Sequence, residues 1–158
     1  MNSPRVIVLP RLDDESVLEL VTDIAEVVPN DVVGVGSVGS ELAENQWIAA
    51  VALGIARSGA AFEGVHLVAL GAAANRLPAL AFAQRAARRP VLSYVCVDAV
   101  PTGQFVDWPD APVTLIKTNP LLLAEVSNGA RLRGWSQVQS SAAGLVAAVA
   151  AAIIATNP

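Results

Sequence analysis

The feature that most constrains this chain is a regular alternation. Short, unbroken apolar runs rich in Val, Ile and Leu exchange with longer, alanine-rich runs. The short runs fall at residues 5–9, 31–35, 65–70, 91–97 and 113–117. The longer runs, 15–28, 41–58, 78–87 and 141–156, carry apolar residues at helical spacing. Asp13 or Asp14 can cap the first helix, Pro29-Asn30 and Gly59 end the first two, and Pro90 stops the third. Strands that do not alternate polar with apolar residues are buried on both faces. Repeated strand–helix–strand units close by right-handed crossovers into a parallel sheet. The expectation is one domain over residues 1–158, an α/β fold of three layers, α/β/α. Its mostly parallel central sheet has five to six strands, with 131–135 as the short sixth.

Composition narrows what such a chain does. Hydrophobic residues make up 54% and charged ones 15%, which excludes intrinsic disorder. A net charge of −4 argues against a nucleic-acid surface. Cys96 is the only cysteine, so no internal disulfide forms. The longest apolar stretch, 142–155, is shorter than the about 20 residues that span a bilayer. The apolar run 6–9 is too short for a signal-peptide core. These readings place the protein in the cytoplasm, with no membrane and no nucleic-acid partner.

In an open α/β sheet the ligand crevice is built by the loops after the strands. Those loops are 10–14, 36–40, 71–76, 98–108, 117–120 and 135–141. Gly34, Gly36 and Gly39 spell G-x-G-x-x-G, but Gly34 falls inside a strand and no acidic residue ends the next one. A small-residue turn, with Ser37 and Ser40 as turn and cap residues, is the better reading. Asp13, Asp14 and Lys117 have the placement of a phospho-accepting receiver domain. The acceptor position, Leu70-Gly71-Ala72, carries no carboxylate. His66, the only histidine, opens its strand, the wrong end for a parallel-sheet active site, and one His with one Cys cannot hold zinc. No metal and no cofactor are expected.

Residues 64–101 carry the strongest signal. A strand runs into Gly71-Ala72-Ala73-Ala74-Asn75, a helix follows, and the next strand ends in Val97-Asp98-Ala99-Val100-Pro101. This resembles the α/β-hydrolase family, whose strand leads into G-x-S-x-G. The resemblance puts Ala73 at the nucleophile position, where no oxygen is available to attack a carbonyl. It puts Pro10-Arg11 at the oxyanion turn, where proline has no N–H to donate. It places Lys117-Thr118-Asn119-Pro120 where the catalytic acid is due, and 138–142 where the histidine is due. It also implies that the family's first strands and lid are missing.

The resulting expectation is a non-catalytic, hydrolase-like protein that binds a small molecule or a protein partner at the strand ends. Arg11, Ala73, Asn75, Arg76, Asp98, Trp108 and Trp135 are the candidate ligand residues, with alanines leaving space and Arg offering a forked donor for a carboxylate or phosphate. An enzyme of lyase or cyclase type, using Asp98, Asp107 or Tyr94 as acid or base, is the alternative. A purely structural subunit is the third reading. Few charges cover the outer helices, so a homodimer is expected, burying part of helix 41–58 or 141–156, with Trp47 and Ile48 as anchors. Cys96 is expected to resist thiol reagents, and Tyr94 and Cys96 to face opposite sides of their strand.

Overall fold

The computed structural model describes residues 3–13, 15–36, 38–39, 41–59, 63–103, 105–119 and 123–158. Asp14, Ser37 and Ser40, assigned above to caps and turns, lie outside the described residues. The elements run β1 (Arg5–Val8), α1 (Leu18–Val27), β2 (Val32–Gly34), α2 (Glu44–Arg57), β3 (Val65–Leu70), a 3-10 turn (Gly71–Arg76) and α3 (Leu77–Ala86). Then come β4 (Val91–Val97), β5 (Val113–Lys117), α4 (Leu123–Leu132), β6 (Ser136–Gln139), a short 3-10 turn and α5 (Leu145–Ile154). The sheet has the order β2-β1-β3-β4-β5-β6, and every neighbouring pair is parallel.

The central strands are buried on both sides, as unbroken apolar runs require. One face holds Trp47, Val51 and Ile55 of α2 with Leu77 and Leu80 of α3, against Leu67, Tyr94 and Leu115. The other holds Ile24 of α1 with Val149 and Ile153 of α5, against Val68, Val95 and Ile116. The three-layer α/β/α architecture follows from these two clusters. Gly34 is a packing residue: a Cβ there would lie 3.0 Å from Val21 Cγ2 of α1.

Four expectations change. The sixth strand is Ser136–Gln139, not 131–135. Arg131 and Leu132 instead end α4, and Gly134, at φ +70°, turns the chain into the strand. At the sheet edge, Ser136–Gln139 is polar and largely exposed, so it lacks the apolar signature of its neighbours. Asp13 does not cap α1, which begins at Leu18; its carboxylate holds Arg11. Tyr94 and Cys96 belong to the same core cluster, because side chains two apart on a strand share a face. Trp47 is 1% exposed and packs inside the domain, so it cannot anchor an interface.

Candidate functional site

The sheet order reverses between β1 and β3: the chain leaves β1 toward β2 and leaves β3 toward β4. Such a reversal is where open α/β sheets place their ligand sites. On one side stands Pro10-Arg11 after β1. On the other, the sharp bend from β3 into the 3-10 turn falls on Gly71, at φ +56°. A Cβ at Gly71 would meet no atom within 4 Å. The bend thus comes two residues before the position that the G-x-S-x-G spacing assigns. Ala73 lies within the 3-10 turn, fully buried in the core, and is not an open elbow residue.

Arg11 follows β1 at this end of the sheet, and it is engaged. Its Nε and Nη2 donate to the Asp13 carboxylate at 2.8 and 2.6 Å, and Glu15 lies 3.6 Å away. Hydrogen bonding from Arg11 holds the Asp13 carboxyl at about 2, so this pair stays ionised at any ordinary pH. The guanidinium also feels the Asp98 carboxylate. Next to it a cleft of about 450 Å³ opens between α1 and the ends of β1 and β2, walled by Val17, Leu18, Val21, Val35 and Val38, with Gly36 on its rim.

Asp98 sits just past β4 in a left-handed conformation, φ +58°. Its carboxylate accepts from the Thr118 N–H at 2.6 Å, the Thr118 hydroxyl and the Asn119 N–H at 3.2 Å. It therefore ties the end of β4 to the loop after β5. Asn75 accepts from the Thr102 N–H at 3.3 Å, holding the β4–β5 loop to the bend. Arg76 turns toward α2, with Glu44 at 2.6 Å and the Trp47 ring 6.0 Å below it.

Trp108 and Trp135 do come together. Their rings meet edge to face at 5.5 Å, and Trp108 also meets Tyr94 at 5.3 Å and Phe105 at 6.3 Å. Arg133 lies over Trp135 at 4.9 Å and donates to the Pro101 and Gly103 carbonyls. Phe105, Trp108, Arg133 and Trp135 line a second cleft of about 420 Å³. The seven sequence candidates are thus spread along the strand ends rather than gathered in one pocket. Gly71, Phe105 and Arg133 were missed. Gly71 was readable as a glycine at a strand-to-helix bend; Arg133 carried no local signal.

Two of the three acid–base candidates, Tyr94 and Asp98, are engaged through their side chains, and Asp107 only through its backbone carbonyl. The Tyr94 hydroxyl donates to Asp110 at 2.5 Å, and Arg85 reaches Asp110 at 3.4 Å and the Asp107 carbonyl at 2.7 Å. Burial, reinforced by Asp110, pushes the Tyr94 pKa up, so the phenol keeps its proton. His66 is buried at the opposite edge of the sheet, in register with Val6 and Ser93. Asn157 Oδ1 can only accept, so His66 Nε2 donates to it at 3.0 Å and Nδ1 accepts from Ser93 at 2.8 Å. Burial lowers the His66 pKa, which keeps this neutral arrangement.

Among the described residues no group of three or more His, Cys, Asp or Glu side chains is placed to hold a metal ion. No helix among them is long and apolar enough to cross a membrane.

No protein-family model matches the chain. No curated protein matches it in sequence. Solved structures do match in fold. The Vlm2 thioesterase domain, in its wild-type form, superposes with a TM-score of 0.63 at 13% identity, covering 92% of this chain and 86% of that one. The same domain carrying genetically encoded 2,3-diaminopropionic acid, bound with a dodecadepsipeptide, gives 0.61 at 11% identity over 92% of this chain and 87% of that one. At such identity the likeness speaks for the fold alone. With its three layers and parallel six-stranded sheet, this chain has an α/β-hydrolase-like fold.

Proposed function

We propose that the protein is a non-hydrolytic binding protein on an α/β-hydrolase-like scaffold, taking a small, mainly apolar molecule in the cleft beside Arg11. The cleft itself carries this reading. Its about 450 Å³ and its valine and leucine walls suit a small ligand, since binding pockets run about 300–1,000 Å³ and are mostly apolar. The expectation of an anionic ligand is less well supported. Asp13 and Glu15 already offset the Arg11 charge, and an anion would approach against both carboxylates. A neutral molecule with one hydrogen-bond acceptor avoids that repulsion.

A hydrolytic reading would need a nucleophile within reach of a base. The bend offers Gly71, and His66 is committed to Ser93 and Asn157 at the far edge of the sheet. A lyase or cyclase reading would need a free acid or base in the cleft, yet Tyr94 is held by Asp110, Asp98 by the loop after β5, and Asp107 lies exposed beside Phe82 and Val106 rather than in the Arg11 cleft. A cytoplasmic homodimer completes the proposal.

The test is saturation-transfer NMR on the full chain with matched pairs of small amides and carboxylates. The amides are expected to bind and the carboxylates to bind more weakly. Gly36 lines the cleft and a Cβ there meets nothing within 4 Å, so Gly36→Phe should fill the space and abolish the signal without unfolding the protein. Stoichiometric labelling by a fluorophosphonate, or binding unchanged by Gly36→Phe, would overturn the reading.

A further inference from the structure

The outer face of α2 and α3 sets a knob beside a hole. Phe82 on α3 is 68% exposed. Next to it a groove of about 720 Å³ runs between the two helices, walled by Ile48, Ala49, Ala52, Ala79 and Ala83. Leu53 of α2, 49% exposed, adds apolar surface. Beyond Phe82 a second depression leads to Val106, which is 89% exposed. A contiguous apolar face of this kind marks an interaction site.

The charges around it have a direction. α2 and α3 each return the chain between parallel strands, so both run from the strand C-terminal edge to the opposite edge. The starting end carries Glu41, just before α2, and Glu44 in its first turn. The finishing end carries Arg57, Arg85 and Arg88, with Asp110 beside Arg85 and Asp107 in the same depression. Glu44 is shared with Arg76 and Arg85 with Asp110, whereas Glu41, Arg57 and Arg88 stand exposed.

We infer that this face binds a second copy of the chain across a two-fold axis normal to the helices. That operation lays α2 antiparallel on α2 of the other copy and brings Glu41 of each against Arg57 of the other, twice. It opposes the helix dipoles favourably. It also seats each Phe82 in the alanine-lined groove of the other copy, since a two-fold contact must be complementary to itself. A face charged with one sign throughout would repel its own copy; this one does not. The inference deepens the homodimer in the proposed function and is independent of the ligand cleft.

The test is sedimentation equilibrium of the full chain at tens of micromolar. The wild type is expected at twice 16.3 kDa, with the dimer weakened by added salt. Phe82→Glu should yield monomer with its circular dichroism unchanged. Arg57→Glu should weaken the dimer about tenfold, a typical loss for an interface charge left facing its like. Adding Glu41→Arg to it should restore association. If Phe82→Glu fails to fold, the charge swap decides alone. A 16.3 kDa wild type overturns the inference. So does a dimer that persists through Phe82→Glu and the charge reversal, whether it uses another face or not. Ligand binding lost with the dimer intact would sink the cleft reading and leave this one standing.

Discussion

Two glycines show how differently the same residue type is used. Gly71 turns β3 into the 3-10 segment at φ +56°, with open space where a Cβ would stand. Replacing it by alanine meets no atom, so any loss comes from the backbone alone. A left-handed conformation costs an L-residue roughly 1–2 kcal/mol. Gly71→Ala should therefore lower stability by about 1 kcal/mol in urea denaturation. Gly36 also faces open space but does not need the left-handed region. Gly36→Ala should be neutral or gain up to about 1 kcal/mol by restricting the unfolded chain. Equal losses at both sites would mean that the strain at Gly71 is not what shapes the bend. The sequence marked residue 73 as the important one because a motif spacing was laid over it. Spacing fixes an order of residues, but the bend falls where the backbone can pass into positive φ, which is two residues earlier.

At the scale of elements, β4 lies inside the sheet between β3 and β5, and its thiol reports that. Cys96 is fully buried, and burial alone pushes its pKa up to about 12. A thiol at that value holds almost no thiolate at neutral pH, and the thiolate is the reactive form. Modification by an aromatic disulfide should be negligible in the native state and complete once denaturant unfolds the sheet; rapid native labelling would contradict the central position of β4. The elements legible in the sequence were those with one dominant cause. β3, β4 and β5 are continuous apolar runs, and their limits agree with the structure to the residue. α4 was invisible because Ser127, Asn128 and Gly129 are poor helix formers in its middle. It is held from outside instead, by Lys117 donating to Ser127 at 3.1 Å and Gln137 to the Ser127 carbonyl at 3.0 Å. Missing α4 shifted the sixth strand with it. The candidate site was legible only as a set of loops. Which side chains meet, as Trp108 and Trp135 do and Arg11 and Arg76 do not, depends on crossings that no local pattern encodes.

For the whole molecule, the dependence on pH should be governed near neutrality by one buried group. His66 has its pKa lowered below 6.5 by burial. Between the folded value and 6.5 the unfolded chain binds more protons than the folded one, so stability rises with pH across that window. Its contribution is complete above 6.5, falls away as the pH drops toward the folded value, and changes no further below it. Asp13, held at about 2, titrates in a separate and more acidic range. Chemical denaturation between pH 7 and pH 5 should show the loss, and His66→Gln should flatten it. A wild-type curve with no slope there would contradict the buried, neutral imidazole. The same network joins distant parts of the chain: Asn157 exchanges amide hydrogen bonds with Asn30, and Asn30 also donates to the Pro4 carbonyl at 2.8 Å.

The strand order also has a meaning in time. No two neighbours in this sheet are joined by a hairpin; every pairing is parallel and must wait for a helix or a longer segment to come round. As the chain leaves the ribosome, β1 finds β2 as its first partner, while its other edge stays open until β3 has been made. The strand destined for the inside of the sheet therefore spends part of its early life as an unguarded margin. Non-local parallel pairings make folding slow, on the order of milliseconds to seconds, and an open apolar margin invites the wrong neighbour meanwhile. The topology that reverses direction between β1 and β3 is the same one that leaves the growing chain exposed at that seam.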